Sequence, residues 1–470
     1  MKIENGWTGL SDEMVHAQFG DLRLSKRLAK LVDALSERSS ESFPAVLGEA
    51  GLEGGYRFWN NPRVHSDEIL EPHIVATAER AAQEPLVRVL HDSTQFSFKG
   101  QCLRPGLGRL RRRDQGFFAH ASLAVRPGED REALGVVALK TWVRDQAPKA
   151  KRRRRKGKGN ADRESLRWLE QARLAEARLS ESKHVVHIMD READSFELIH
   201  GLGDFVIRAM HDRVVQLPSE IKVGGRQRLK QALSHAAWFT TREVILSPRA
   251  KSTFPIEQKI HPARDGRIAK LAISAMAVRI HRTEYVDPGL PEWIDVNVVS
   301  VVEVDAPPGV AAVEWTLLSN LPISTAEQVE AIVDHYRARW LIEEFFKALK
   351  TGCNYEQRQL ESLHALLNAL ATFIPIAWRL LLLRTHARHH KDLPATAVLT
   401  NTQIEVLRTL SSKPLSAKPT AREALLEVAR LGGHLKRNGE PGWQVLWKGL
   451  RDLMMMEQGW LAARASPTRK

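Results

Sequence analysis

Three acidic side chains stand where carboxylates are unusual. Asp92 interrupts the strand-like run VLHDSTQFSF, Asp190 ends the short apolar run VVHIMD and opens DREAD (190–194), and Glu343 lies in HYRARWLIEEFFKALK (335–350). Singly, each has an ordinary reading. Asp92 reads as a turn or edge residue, Asp190 as a structural aspartate at a strand end with Asp194 as the N-cap of the helix that follows, and Glu343 as half of an exposed i,i+4 pair with Lys347. Together they have a chemical logic. Three carboxylates converging at one edge of a sheet can hold two Mg²⁺ ions roughly 3.5–4 Å apart, one activating an attacking oxygen and the other stabilising a leaving oxygen at a phosphodiester. Magnesium prefers oxygen ligands and needs few protein groups, so three acids, water and phosphate suffice.

The stretch 335–350 sorts into faces at about 100° per residue. Tyr336, Arg339, Glu343, Lys347 and Lys350 fall within an arc of about 80°. Leu341, Ile342, Phe345, Phe346 and Leu349 form the adjacent core face, and Glu344 falls on neither. Arginine and lysine beside Glu343 suit the phosphates that flank a polyanion's reacting bond.

These residues need elements to position them. LVRVLHDSTQFSF, GFFAHASLAV and REALGVVALKTWV read as three consecutive strands. A helix (DRESLRWLEQARLAEARL), the strand HVVHIMD, a helix beginning at Asp194 and the strand DFVIRAM follow, which predicts an α/β domain with a mixed sheet. Residues 213–320 form a second strand-rich block, and from about 325 onward the pattern is helical. Near the N-terminus, residues 18–36 read as an amphipathic helix with Leu24, Leu28, Leu31 and Leu35 on one face. Arg23, Lys26, Arg27 and Lys30 line a neighbouring face, which reads either as a solvated basic surface or as a DNA-backbone contact.

Composition narrows the class. The 470 residues carry a formal net charge of +14, an excess suited to neutralising phosphates. The run KAKRRRRKGKG (149–159) cannot pack against itself and reads as a loop able to lie along a phosphate backbone. Two distant cysteines, Cys102 and Cys353, argue against a disulfide framework and fit a reducing compartment. The N-terminal residues show no signal-peptide pattern. Residues 371–383 are apolar but short and interrupted by Pro375 and Arg379, which reads as a buried helix. His91 beside Asp92 reads better as a supporting or packing residue than as a ligand, and HARHH (386–390) as a solvated helix end. No P-loop, GxSxG or well-placed GxGxxG is present.

Tyr336, Arg339, Glu343 and Lys350 match the Y-(two)-R-(three)-E-(six)-K signature of bacterial DDE transposases, and the chain resembles the insertion-sequence-four family, its transposon-five branch in particular. HDST (91–94) and DREAD are similar to the blocks around that family's two aspartates. FGDLRLSKRL (19–28) and GGYRFWNNPRV (54–64) resemble its N-terminal DNA-binding domain, and 432–453 its C-terminal helices.

The resemblance implies an RNase H-like core with a mixed sheet and helices, a β-rich insertion, and helical N- and C-terminal domains. Its bounds would be 1–75 for DNA binding, 76–212 and 321–362 for the core, 213–320 for the insertion and 363–470 for dimerisation and end binding. It further implies that Asp92, Asp190 and Glu343 hold two Mg²⁺ ions, with Mn²⁺ able to substitute. Tyr336, Arg339 and Lys350 would contact phosphates, with Lys347 and Arg208 as further DNA contacts. Trp315 would stack on a flipped base with Trp340 nearby, although a core tryptophan on a strand is an equal reading. The implied partners are double-stranded terminal inverted repeats, target DNA and a second copy of the chain in a paired-end complex, in a bacterial cytoplasm at the nucleoid and with no membrane. A binding-only relative and a purely hydrolytic RNase H-like nuclease are the alternatives.

Overall fold

The computed structural model describes residues 10–100, 102–110, 114–128, 130–144, 164–219, 225–246, 263–389, 392–411, 415–435 and 440–465. The basic run 149–159 lies outside them.

Four helices lead the chain: α1 (Leu10–Met14), α2 (Leu22–Glu37), α3 (Phe43–Trp59) and α4 (Ser66–Ala82). Asp21 starts α2 by accepting from the Arg23 amide, and Leu28, Leu31, Val32 and Leu35 are buried along one side, as the leucine stripe predicts. The core sheet then begins with β1 (Val87–Lys99), β2 (Gly108–Arg109), β3 (Asp114–Val125) and β4 (Ala133–Trp142). β1 pairs antiparallel with β3, setting Asp92 opposite Ala121, and β3 pairs antiparallel with β4. Gly135 on β4 has φ +143°, and a Cβ there would meet the Thr77 hydroxyl at 2.0 Å, so only glycine lets α4 lie this close to the sheet.

Helix α5 (Glu164–Arg178) crosses over to β5 (Val185–Met189), which pairs parallel with the first half of β1. After α6 (Phe196–Gly201), β6 (Asp204–Arg208) pairs parallel with β5. Three antiparallel strands followed by two parallel ones, with helices against them, make the RNase H-like mixed α/β arrangement expected from the sequence. One local expectation is corrected. No helix starts at Asp194: a 3₁₀ turn spans Arg191–Ala193, and α6 is capped by Ser195, whose hydroxyl accepts from the Leu198 amide. Asp194 is fully buried instead. It binds the amides of Met210 and His211 at 2.7 and 2.9 Å and the Arg213 guanidinium at 2.5 Å, and so ties the turn after Asp190 to the turn after β6.

Residues 213–320 supply β7 (Val214–Gln216), β8 (Gln227–Arg228), β9 (Ala237–Leu246), β10 (Arg267–His281), β11 (Trp293–Val304) and β12 (Glu314–Ser319). These strands continue the same sheet, because β12 pairs antiparallel with β6 and the order runs on through β11 and β10 to β7 and β8. Beyond them come α7 (Ala326–Ala338), α8 (Trp340–Lys347), α9 (Leu363–His389), α10 (Asn401–Leu410), α11 (Ala421–Leu431) and α12 (Trp443–Ala465).

The apolar stretch around 371–383 is the middle of α9. Among the described residues α9 is the one helix long and apolar enough to cross a membrane, and 89% of its apolar window is buried inside the protein. It joins the N-terminal helices to the core. Asn368 donates to the carbonyls of Trp59 and Val64 at 3.0 and 2.9 Å, and Trp378 Nε1 donates to Ala133 O on β4 at 2.7 Å. At its end His386 is not solvated as expected but lies 3.1 Å from Glu132 and is largely buried.

Glu344, which belonged to neither face of the sequence pattern, holds the C-terminal helices. It accepts from Trp443 Nε1 on α12 at 2.6 Å, from Lys347 at 3.0 Å and from Arg384 on α9. Glu344→Ala leaves a largely buried guanidinium without its counter-charge, and is expected to lower the free energy of unfolding by about 2–3 kcal/mol. Urea denaturation reads this as a lower midpoint, and an unchanged midpoint refutes it.

Candidate active site

The helical stretch that the sequence marks out runs alongside β1 and touches one face of that strand at three successive places. His335 on α7 accepts from Arg88 Nε at 2.8 Å, Arg339 meets Asp92, and Lys350 sits 5.5 Å from the centre of the Phe96 ring. Arg88, Asp92 and Phe96 are four residues apart, so the strand's two-residue period turns them all to the same side.

Asp92 lies just past the segment of β1 paired to β5, and Asp190 follows directly on the last residue of β5. Glu343 comes from α8. All three carboxylates converge on one guanidinium. Arg339 reaches Asp92 Oδ2 at 3.2 Å, Asp190 Oδ2 at 3.7 Å and Glu343 Oε1 at 2.6 Å. The arginine side chain is 10% exposed, while the acids are 22%, 31% and 29% exposed, so the cluster is open to solvent on the carboxylate side. The expected pair between Glu343 and Lys347 does not form: Glu343 pairs back to Arg339, and Lys347 pairs with Glu344 and lies 5.2 Å from the Trp340 ring centre.

Burial and the neighbouring charges together set the protonation of the site. Burial raises the Asp92 carboxyl to about 6, against the lowering pull of Arg339 and the Ser93 amide, and Glu343 and Asp190 push it the same way as burial. Burial opposes the charge of Arg339, but Asp190, Tyr336, Asp92 and Glu343 outweigh it and hold the guanidinium above its ordinary value.

The remaining expected residues fall into three groups. Tyr336 is buried, donates its hydroxyl to Asp190 Oδ1 at 3.2 Å and packs edge-on against Trp315 of β12 at 5.6 Å. Arg208, at the end of β6, completes that corner and donates to Glu314 O at 3.3 Å. Trp340 is 52% exposed on α8. Arg23, Lys26, Arg27 and Lys30 all lie on α2, away from this corner. Arg23, Lys26 and Lys30 are exposed, and the Arg27 guanidinium is packed against Gly54. Arg23 is also paired with Asp21 at 2.9 Å.

Two backbone details alter the regular helix that the sequence suggests. The amides of Arg339 and Ile342 donate to the carbonyls of Tyr336 and Arg339, three residues back, so the turn tightens at Arg339. It then widens into a π turn over Ala348–Gly352, where the Cys353 amide donates to Ala348 O at 2.7 Å. That turn sets the half-buried Lys350 over Phe96, and burial lowers its pKa while Glu356 raises it.

On the opposite face of β1 lies a buried ladder that the sequence reading reached only at His91. His91 meets His187 at 2.9 Å and Ser122 at 3.0 Å, His120 meets Ser93 at 3.0 Å, and His187 meets Glu176 at 3.1 Å. The alternation of HDS in β1 with AHAS in β3 is the signal that could have revealed it.

Carboxylate oxygens suit a hard divalent ion, and a cation held by all three already occupies their centre in the form of Arg339. With that guanidinium in place, no group of three or more His, Cys, Asp or Glu among the described residues stands in metal-holding geometry. The three carboxylates offer the oxygen donors that a hard divalent ion takes, and the Arg339 guanidinium stands among them.

The raised Asp92 carboxyl has a consequence for stability. The folded state binds this proton more tightly than the unfolded chain does, so the stabilisation is full below about pH 4 and is lost as pH rises through about 6. Relative to Asp92→Asn, the metal-free wild-type protein is expected to lose melting temperature between about pH 4 and about pH 7 and then run level. Parallel melting curves across that range would refute the assignment.

Two comparisons with protein families bear on this geometry. Residues 5–64 match the family model "Transposase DNA-binding", and residues 156–374 match "Transposase DDE domain". The second match includes Asp190 and Glu343, whereas Asp92 lies in neither and joins the set through its place on β1. Carrying both a transposase DNA-binding domain and a transposase DDE domain, which together span more than half of its length, the chain is a DDE-type transposase.

Proposed function

We propose that the protein is a cut-and-paste transposase of the insertion-sequence-four family, on its transposon-five branch, acting at terminal inverted repeats. The observation that carries this reading is the convergence of Asp92, Asp190 and Glu343, from a strand, a strand end and a helix, on a single guanidinium.

In this reading the three carboxylates hold two Mg²⁺ ions, with Mn²⁺ able to substitute. The ions supply Lewis-acid stabilisation of the attacking and leaving oxygens of an in-line phosphoryl displacement. Arg339 and Lys350 neutralise phosphates beside the scissile bond, with Lys347 and Arg208 further along the strand. The hydroxyl of Tyr336 keeps Asp190 oriented through its hydrogen bond. Trp315, half-buried against Tyr336, offers an edge for a flipped base, and Trp340, exposed on α8, assists the flipping.

The order of bond changes follows from using one site repeatedly. Water attacks the phosphodiester at the transposon end and releases a 3′-hydroxyl. That hydroxyl attacks the opposite strand and closes a hairpin, water opens the hairpin, and the freed 3′-hydroxyl attacks a target phosphodiester. Each step exchanges one P–O bond for another, and the leaving oxygen takes up a proton.

Residues 1–75, with the exposed Arg23, Lys26 and Lys30 of α2 and the packed Arg27 beside them, serve end recognition in this scheme, and 213–320 act as the β-rich insertion. Residues 363–470 join two copies of the chain across a pair of ends. Met455, Met456 and Leu461, exposed on α12, support that last assignment. The setting is the bacterial cytoplasm at the nucleoid. The DNA-binding match at 5–64 favours this reading over a simple RNase H-like nuclease, and the intact set of three carboxylates favours it over a binding-only relative.

The test uses purified protein, Mg²⁺ and DNA carrying the presumed inverted repeats, resolved on denaturing gels. The wild type is expected to give nicked, hairpin and double-strand-cut products. Glu343→Gln is expected to cut at least ~100-fold more slowly, a loss in keeping with the several kcal/mol supplied by ion-held charge stabilisation. It should still retard the DNA on native gels. Cleavage by Glu343→Gln at a rate near wild type would overturn the site, and retarded but uncut DNA with the wild type would favour the binding-only relative.

A further inference from the structure

We propose that Arg339 is the internal counter-cation of the carboxylate cluster in the DNA-free protein, and that metal loading waits until a DNA phosphate draws its guanidinium away. This rests on the reading of Asp92, Asp190 and Glu343 as the metal holders.

The geometry points to competition for the same oxygens. The guanidinium takes Asp92 Oδ2, Glu343 Oε1 and, at longer range, Asp190 Oδ2, one oxygen from each acid. Three carboxylates crowded beneath a protein surface repel one another unless a cation lies among them. Arginine supplies that cation permanently, since its proton is not lost at any pH the protein survives. A divalent ion brought to the same oxygens would meet a positive charge within a few ångströms, and like charges repel strongly in a partly buried site. The guanidinium therefore has to move before the ions enter, because it cannot discharge.

Phosphate is the chemistry that would move it. A guanidinium fork binds phosphate oxygens in a bidentate manner as well as it binds carboxylates. Arg339 lies at the tightened turn between α7 and α8, on the same flank as Arg208 and Lys350. A strand laid across that flank brings phosphates to the arginine and frees the three acids in the same event. DNA and metal then bind with positive coupling, each raising the affinity for the other by the same factor. Without DNA the protein stays poorly loaded and does not cut.

The experiment measures Mn²⁺ binding to the full chain by isothermal titration calorimetry, with no DNA and again with a saturating duplex. Wild type is expected to bind Mn²⁺ weakly alone and ~10-fold or more tightly with DNA. Arg339→Gln is expected to bind Mn²⁺ ~10-fold more tightly than wild type without DNA and to gain little when duplex is added. Arg339→Lys, which keeps the charge, is expected to stay near wild type, and it tests the idea should the glutamine variant fail to give a cooperative melt. Mn²⁺ affinity of Arg339→Gln equal to or below that of the DNA-free wild type overturns the inference, as does Arg339→Lys binding more tightly than wild type. Asp92→Asn separates this from the underlying reading. If it binds Mn²⁺ like wild type both with and without DNA, the carboxylates are not the metal holders and the functional proposal itself fails.

Discussion

A guanidinium that cannot give up its proton holds three acids drawn from three separate elements. That constraint organises the catalytic half of the molecule. For one arginine to reach Asp92, Asp190 and Glu343, β1 must extend beyond its parallel pairing with β5, β5 must end at Met189, and the α7–α8 helix must run along β1 in step with its residues. The crossover through α5 and the parallel β1–β5–β6 arrangement deliver two of these conditions. The third depends on the long-range packing of α7 and α8 over the sheet.

The supports of the site lie in its surroundings. Asp194 joins the turn after Asp190 to the turn after β6, so the second acid is fixed from behind by four hydrogen-bond donors on Met210, His211 and Arg213. Glu344 fixes α8 from the other side through Arg384 and Trp443. Two neighbouring glutamates on one helix thus divide the work, Glu343 facing the open cluster and Glu344 facing the C-terminal helices. On the far face of β1 burial lowers His91 well below its ordinary pKa and His120 to about 3, so these two imidazoles are neutral in the layer beneath Asp92.

What the sequence revealed is what has a local period or a local spacing. The leucine stripe of α2 and the three strand-like runs of β1, β3 and β4 are legible because each is a pattern within one element. The three acids and the Y-R-E-K residues were legible as a motif, and the structure brings Asp92, Asp190, Glu343, Tyr336 and Arg339 into contact. What stayed hidden depends on partners far along the chain. Glu344 looked idle because Arg384 and Trp443 are 40 and 99 residues away. Asp194 was taken for a cap because a short acid before a helix usually is one, yet Ser195 fills that role and Arg213 claims the aspartate. The pair between Glu343 and Lys347 was a sound local rule that lost to the stronger pull of a partly buried arginine.

The widened turn over Ala348–Gly352 shows what a motif's spacing encodes. The gap between Glu343 and Lys350 counts residues, and on a uniform helix that count would also fix a direction. Here one turn holds more residues than its neighbours, so the same count delivers the lysine to a different bearing, over the ring of Phe96. Length and direction become separately adjustable. A helix carrying this signature can keep its spacing unchanged while the placement of its last cation is tuned by how loosely a single turn is wound.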